Sequence, residues 1–514
     1  MTNKPDIDKS LELNAANLKN KIGESYDTSY RYFKIPVFRY PDALIVYISG
    51  LNESRIIEQS ILEPLMNYSK LPDGRMLPII NGQAALLMET GVFTTRARET
   101  VSLDEAGDAV IEGDTVLFID HCDTALILKT KKYEGRSVED PISESEIKGP
   151  RDGFVENIYT NTALIRRRVK DHGVRFDNMK IGARTKTIVS IAYIDSLVNQ
   201  SLLKEVKSRL ERINTDGILS SENIEELIGD APLSVFPTIA LTERPDKACA
   251  ALLEGRVLVL VDNSPFVLII PTVFWQFLTS SGDYYERFLL STVVRWIRLF
   301  AMFLSISASS FYVLLTSFHQ EMLPTALAMK VAAGRSGVPF PAILEAFIME
   351  VILDIMKEAG LRMPKPIGQA VSIVGTLVIG QAAVAAGLVG PLMIIIIALA
   401  AISSYTIPSY TMGNTLRLIR FPILISTALF GLFGYLGGLI VLLLHLMSLR
   451  SFGTPYLAPV VPLDLSGNMD VFVRSPRWDM SARPVLARAK DPTRQGPDQK
   501  PKPPRNKRAR KASL

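Results

Sequence analysis

Cysteine is almost missing from this chain: Cys122 and Cys249 are the only two in 514 residues. Two are too few for a disulfide framework, and a reducing compartment suits them. Histidine is nearly as scarce, with four scattered at positions 121, 172, 319 and 445. No paired-histidine motif, Gly-rich phosphate loop or GxSxG elbow accompanies them. These absences exclude the commonest hydrolytic and nucleotide-dependent chemistries. The chain therefore reads as not an enzyme, with no catalytic residue, no metal and no cofactor. The first 30 residues hold no apolar stretch of the kind that opens a cleavable signal peptide, so the N-terminal region is expected to stay in the cytoplasm. Long uncharged apolar runs are also absent up to about residue 256, where charges are dense.

Such runs follow one another from 297 to 447. The sequence thus describes an integral membrane protein carrying a large soluble N-terminal region. Its net charge of +5 comes largely from TRQGPDQKPKPPRNKRARKASL (493–514), which holds eight Lys or Arg against Asp498 and contains four prolines. That stretch is expected to be a disordered tail contacting anionic lipid. It has no interleaved aromatics for base stacking, which argues against nucleic acid.

Two stretches of the soluble region align without gaps: EGDTVLFIDHCDTALIL (112–128) and EGRVLVLVDNSPFVLII (254–270). Each sets a polar turn between apolar β-rich runs, a hairpin signal. Upstream, ALIVYISGLNESRIIEQSILEPL (43–65) and TIVSIAYIDSLVNQSLLKEVKSRL (187–210) each read as a buried strand, a turn and a helix, with Ile45 set against Ile188. Two patterns at nearly one spacing argue for an internal duplication, with Gly113 matching Gly255 and Asp120 matching Asp262. The tip Asp120, His121, Cys122, Asp123 offers four metal-ligand types. Neighbouring strand residues point to opposite faces, however, and the second tip keeps only the aspartate, so a turn is expected.

The segment GTLVIGQAAVAAGLVGPLMIIIIALAA (375–401) is uncharged and long enough to span a bilayer, yet its first half is built from very small side chains. On a helix, Lys365, Gln369, Ser372, Thr376, Gly380, Ala383 and Gly387 fall in one narrow stripe. Small residues in such a stripe allow close helix packing. Alternatively, copies of the helix line a pore, with Ile373 and Leu377 closing it by dewetting. The pore-lining or gate candidates are Ser372, Ile373, Thr376, Leu377, Gly380 and Gln381. One chain has too few spans to enclose a pore, so this reading requires a homo-oligomer. Before the stripe, PAILEAFIMEVILDIMKEAG (341–360) carries Glu350, Asp354 and Glu358 on one face. That face reads either as the polar side of an amphipathic helix on the membrane surface or as an acidic vestibule gathering cations. Arg295 and Arg298, at the head of the first span, are expected to reach the interface. PSYTMGNTLRLIR (408–420) is expected as a loop.

Several stretches now resemble one family. GPRDGFVENIYTNTALIRRR, TERPDK, GRVLVLVDNSPFVLIIP, DYYERF, SFHQEMLPTALA, VPFPAILEAFIMEV, EAGLRMPKPIGQAVSIVG, VIGQAAVAAGLV and SFGTPYLAP run from about 149 to 459. They resemble the A subunits of GerA-type spore germinant receptors, of which the stage V sporulation protein AF is a relative. The resemblance implies the inner spore membrane, a transporter-like B subunit that binds the nutrient, and a lipoprotein C subunit. It also implies homo-oligomers, as pentamers, forming a channel that releases cations when nutrient binds. An AF-type channel subunit and a non-conducting sensing or scaffold subunit are the alternatives.

The expected architecture is an α/β soluble region of two similar subdomains followed by an α-helical polytopic membrane domain. A polar segment covers 1–34, the first subdomain 35–142, a linker 143–179 and the second subdomain 180–286. The membrane domain covers 287–450, with spans near 297–318, 371–389, 391–407 and 421–447 and the amphipathic helix at 341–360. A C-terminal segment, 451–514, ends in the basic tail. Four spans put both termini on one side, and the charge of the basic tail places that side in the cytoplasm.

Overall fold

The computed structural model describes residues 7–35, 42–67, 97–131, 141, 144, 146–364, 378, 380–463 and 470–502. It divides into two compact units. One comprises Met1–Gly229, Ile239–Pro271 and Met480–Leu514, the other Asp230–Thr238 and Thr272–Asp479.

The first unit is a duplicated α/β structure. Its first half runs α1 (Leu11–Ile22), β1 (Thr28–Lys34), β2 (Asp42–Ile48), short helices α2 (Ser54–Ile57) and α3 (Glu63–Asn67), β3 (Ala97–Thr100), α4 (Leu103–Glu112), β4 (Thr115–Ile119) and β5 (Ala125–Leu128). The second half runs α5 (Ile158–Arg168), β6 (Val174–Ile181), β7 (Thr187–Ile194), α6 (Gln200–Glu211), α7 (Ser221–Ile228), β8 (Ala240–Thr242), α8 (Pro245–Leu253), β9 (Val257–Val261) and β10 (Val267–Ile270). The sheets have the same antiparallel order, β1-β2-β4-β5-β3 and β6-β7-β9-β10-β8. Strand residues alternate between faces, so both faces of the first sheet are apolar. Leu44, Val46, Val116 and Phe118 pack under α1 and α4, while Ala43, Ile45, Leu117 and Ile119 pack under Ile57, Ile61 and Leu65.

The duplicated motif residues play matching parts. Gly113 and Gly255 end α4 and just follow α8 with φ of 97° and 81°. The turn residues after the shared aspartates, His121 and Asn263, have φ of 64° and 67°. Asp120 accepts the backbone N–H of Leu11 at 3.3 Å, and Asp262 accepts that of Ile158 at 3.3 Å. Each tip therefore holds the first turn of a helix. Those helices, α1 and α5, open the two repeats, although the sequence leaves them in the polar N-terminal segment and the linker. The ladders also shift one expected match. Ile45 lies opposite Leu117 and Ile191 opposite Val259, so Ile45 corresponds to Ile191 and not to Ile188. A strand that is apolar at most positions and buried on both faces carries little to fix its register.

The repeats are tied together by a buried bidentate pair from Arg166 to Asp27, at 2.7 and 2.9 Å. The Tyr26 and Tyr159 hydroxyls meet at 2.8 Å nearby. Residues following Met480 lie along the second repeat: the Lys490 N–H donates to the Leu197 carbonyl and the Arg483 Nε to that of Leu253, both at 2.9 Å. The expected disordered tail is thus partly placed, to residue 502. A Cβ on Gly255 would lie 2.8 Å from Ala489 Cβ and 3.0 Å from the Leu197 oxygen. Gly255→Ala should therefore destabilise this unit by about 1–2 kcal/mol from its left-handed backbone alone, read as a lowered unfolding midpoint.

The second unit is helical: α9 (Phe288–Ser317), α10 (Thr325–Arg335), α11 (Ala342–Arg362), α12 (Pro391–Tyr405) and α13 (Tyr410–Ser448). Among the described residues, α9 and α13 are long and apolar enough to cross a bilayer, and α12 is a shorter apolar helix. Tyr312, Val313, Ala346, Met349, Met393, Ile397 and Leu424 form its core. PSYTMGNTLRLIR is helical from Tyr410 onward, and α13 breaks sharply at Gly431 (φ 59°, ψ −132°). Beyond the break, a Cβ on Gly434 would fall onto the Ser426 carbonyl oxygen, and one on Gly438 would lie 3.1 Å from Ser426 Oγ. Gly434 and Gly438 thus form a small-xxx-small contact that lets backbone meet backbone. Arg295 and Arg298 do not reach solvent. Both are buried against Asp283, Arg298 at 2.9 Å and Arg295 at 3.4 Å.

Candidate functional site

In apolar surroundings a buried charge is costly unless paired and hydrogen-bonded, so the charges inside the helical unit mark where sequence has been spent on something besides packing. Two of them, Glu345 and Glu350, lie on helix α11. Its apolar positions place it among α9, α12 and α13, with Ala342, Glu345, Ala346, Met349 and Glu350 buried.

Glu345 at its head has a fully buried side chain. Its carboxylate takes Arg335 at 3.0 Å and accepts the Gly390 backbone N–H at 3.0 Å, where α12 begins. One residue thereby joins α10, α11 and the start of α12. A turn and a half further on, Glu350 (1% exposed) meets Arg420 of α13 (2% exposed) at 2.5 Å and accepts the Ser309 hydroxyl of α9 at 2.5 Å. Asp354 meets Arg417 at 3.2 Å. Glu358 is largely exposed and pairs within its own helix with Arg362 at 2.7 Å.

The three carboxylates expected on one face therefore occupy distinct settings: Glu350 locks three helices, Asp354 is half-exposed beside Arg417, and Glu358 faces outward. Glu350 and Asp354 meet Arg420 and Arg417 in antiparallel order. Ser309 carries no sequence signal, and Glu345, Arg417 and Arg420 stand in the sequence as charges without a site role. The signal available was complementary spacing, a carboxylate pair at i, i+4 and an arginine pair at i, i+3, in two segments with apolar flanks. Ser305, Ser307 and Ser310 are also buried on α9, in the run beside Ser309.

Of the stripe candidates, Ser372, Ile373, Thr376 and Leu377 lie outside the described residues, as do Lys365 and Gln369. Helical residues 380–385 are described. Gly380 is buried, and a Cβ there would meet Ile394 Cγ2 of α12 at 3.8 Å. Gln381 is exposed, together with Ala382, Ala385 and Ala386. Gly387 ends this helix with φ of 66°. Thus the described end of the stripe divides: Gly380 turns towards α12, whereas Gln381 heads a small-residue face that looks away from the chain.

No cluster of three or more His, Cys, Asp or Glu able to hold a metal occurs among the described residues. In the first unit, burial pushes the Cys249 thiol up to about 12, so it carries no thiolate near neutral pH. Asp120 and His121, the tempting pair at the first hairpin tip, belong to the turn that holds α1.

Comparison with known proteins gives one consistent answer. A family model described as Bacillus/Clostridium GerA spore germination protein matches residues 16–486. Spore germination protein KA of Bacillus subtilis is 42% identical over 497 residues, covering 97% of this chain and 90% of that protein. The membrane protein YfkQ of Bacillus subtilis is 43% identical over 440 residues, 86% of this chain and 84% of its own length. The crystal structure of the N-terminal domain of the A subunit of the Bacillus megaterium spore germinant receptor GerK3 matches with 31% identity and a TM-score of 0.42. It covers 53% of this chain and 98% of that one.

Proposed function

Because this chain belongs to the GerA family of spore germination proteins, we propose that it is the A subunit of a nutrient-responsive germinant receptor whose copies assemble into a cation channel. The observation that carries this reading is Gln381. Among the described helical residues 380–385 it is the polar side chain, exposed beside Ala382 and Ala385. A single chain in lipid would leave that amide without partners, which hydrocarbon penalises by about several kcal/mol. Copies packed around this face would turn the amide towards a wet lumen instead. The narrow ring of small residues, continued by Ser372 and Thr376, would then line the path, and Ile373 and Leu377 would form its apolar gate.

In this reading the helical unit sits in the inner membrane of the spore with both termini on the cytoplasmic side, and the oligomer is a pentamer. A transporter-like B subunit supplies the nutrient site and a lipoprotein C subunit completes the receptor. Glu358, the outward carboxylate of α11, is the vestibule position, while Glu350 and Asp354 act as helix clamps. No enzymatic step is involved.

The test is conductance of the purified oligomer in a planar bilayer. Cation-selective current from a particle of several chains is the expected result; a monodisperse oligomer with no current would refute the channel. One observation favours a non-conducting scaffold, namely Gly380 turned towards Ile394, where small size serves packing between helices of one chain. In that case the same preparation stays silent.

A further inference from the structure

Three cationic groups in the helical unit converge on one cavity without enough acceptors. A space of about 70 Å³ is lined by Glu350, Asp354, Lys357, Ser404, Arg417 and Arg420 among others. That volume holds a handful of waters or one tetrahedral oxyanion. A wider pocket of about 240 Å³ shares Asp354, Lys357 and Arg417 and adds Glu358, Asn414 and Tyr410, so its own charges balance and the cation excess lies in the inner cavity.

The carboxylates are already engaged, Glu350 by Arg420 and Asp354 by Arg417. The Nε atoms of both arginines are nevertheless buried with no hydrogen-bond partner among the described residues. Arg420 itself is 2% exposed, so its Nε cannot turn to bulk water. Among the described residues Lys357 has only the Asn414 amide oxygen at 3.3 Å and the faces of Tyr405 and Tyr410, at 5.2 and 5.5 Å. The inner cavity is therefore lined by three cations, Lys357, Arg417 and Arg420, against two anions, Glu350 and Asp354.

We propose that this cavity binds a phosphate group, carried by an anionic lipid headgroup or free in solution. A phosphate supplies several acceptor oxygens and the missing negative charge in one compact body, and charge-assisted bonds to guanidinium and ammonium are the strong ones. The rim fits a lipid: Leu361, Leu418 and Tyr410 of the wider pocket and Tyr405 of the inner cavity are all more than half exposed, and tyrosines favour the membrane interface. Basic pockets between spanning helices take anionic headgroups by this chemistry. The lipid source rests on the membrane reading given above; binding of free phosphate does not.

The experiment uses the full chain in a neutral detergent and follows the thermal unfolding midpoint at fixed ionic strength. One arm replaces chloride by inorganic phosphate. The other adds phosphatidylcholine with or without phosphatidylglycerol. Wild type and Lys330→Met, an exposed lysine of α10, should gain several degrees, and Lys357→Met should lose at least half of that gain. Lys357→Arg, which keeps the cation, should retain it. The basic tail is the same in all four proteins, so its own attraction to phosphatidylglycerol cancels in the comparison. A gain with phosphate alone identifies the free ion as the source; a gain confined to phosphatidylglycerol identifies the lipid. Equal responses of wild type and Lys357→Met, or no gain in wild type in either arm, would overturn the proposal. Failure to incorporate into phosphatidylcholine vesicles would instead overturn the membrane reading, and the phosphate arm would still report.

Discussion

Arg420→Met should cost the helical unit about 3–5 kcal/mol, the usual penalty for removing one partner of a buried ion pair. Glu350 would be left 1% exposed with the Ser309 hydroxyl as its remaining donor among the described residues. Three helices meet at that carboxylate, so the loss should lower the unfolding midpoint of the whole helical unit in detergent and reduce accumulation in the membrane. The double variant Glu350→Leu/Arg420→Met should recover most of the midpoint, because a well-packed apolar pair of similar volume is often neutral or stabilising relative to a buried ion pair. Single and double variants with equal loss would mean that Glu350 and Arg420 are not coupled.

Leu377→Ala should give a channel that leaks without nutrient. Fully burying a leucine side chain is worth about 1.5–3 kcal/mol, most of it absent for alanine. A gate residue recurs in every subunit, so even about 0.5 kcal/mol per chain sums beyond the 1.4 kcal/mol that shifts an equilibrium tenfold. Spores carrying the variant should lose ions early or fail to reach dormancy, at normal protein level. Gly380→Leu should act in the opposite sense, by crowding Ile394 of α12 or by obstructing the lumen. Fully dormant Leu377→Ala spores with normal assembly would make this helix a packing element and the small residues structural.

The duplication was legible because its markers answer to backbone geometry. A glycine at φ near 90° and a polar turn residue at positive φ are demanded locally, and both repeats show them in order: Gly113 with His121, Gly255 with Asn263. The register of the second apolar strand was not legible, since Ile188 and Ile191 in TIVSIAYI offer Ile45 the same apolar side chain. Nor were α1 and α5 recognisable as equivalents. Their signature is one asparagine each, Asn14 and Asn161, whose amides bind the backbone six residues upstream in both repeats.

By itself the sequence determined that a duplicated α/β region precedes an apolar helical one, because period-two and helical patterning and turn chemistry are properties of short segments. It also placed acids on α11 and small residues at 380–387, but left their roles open between surface and interior, pore and packing. Tertiary structure decided that Glu350 and Asp354 face Arg420 and Arg417 and that Arg295 and Arg298 close on Asp283. The reason is electrostatic. Along a single segment every charge counts as unpaired, so an arginine reads as loop or interface and a carboxylate as solvated face. Only the fold brings opposite charges together across helices distant in the chain, and in a low-dielectric interior that partner decides whether a charge can be buried at all.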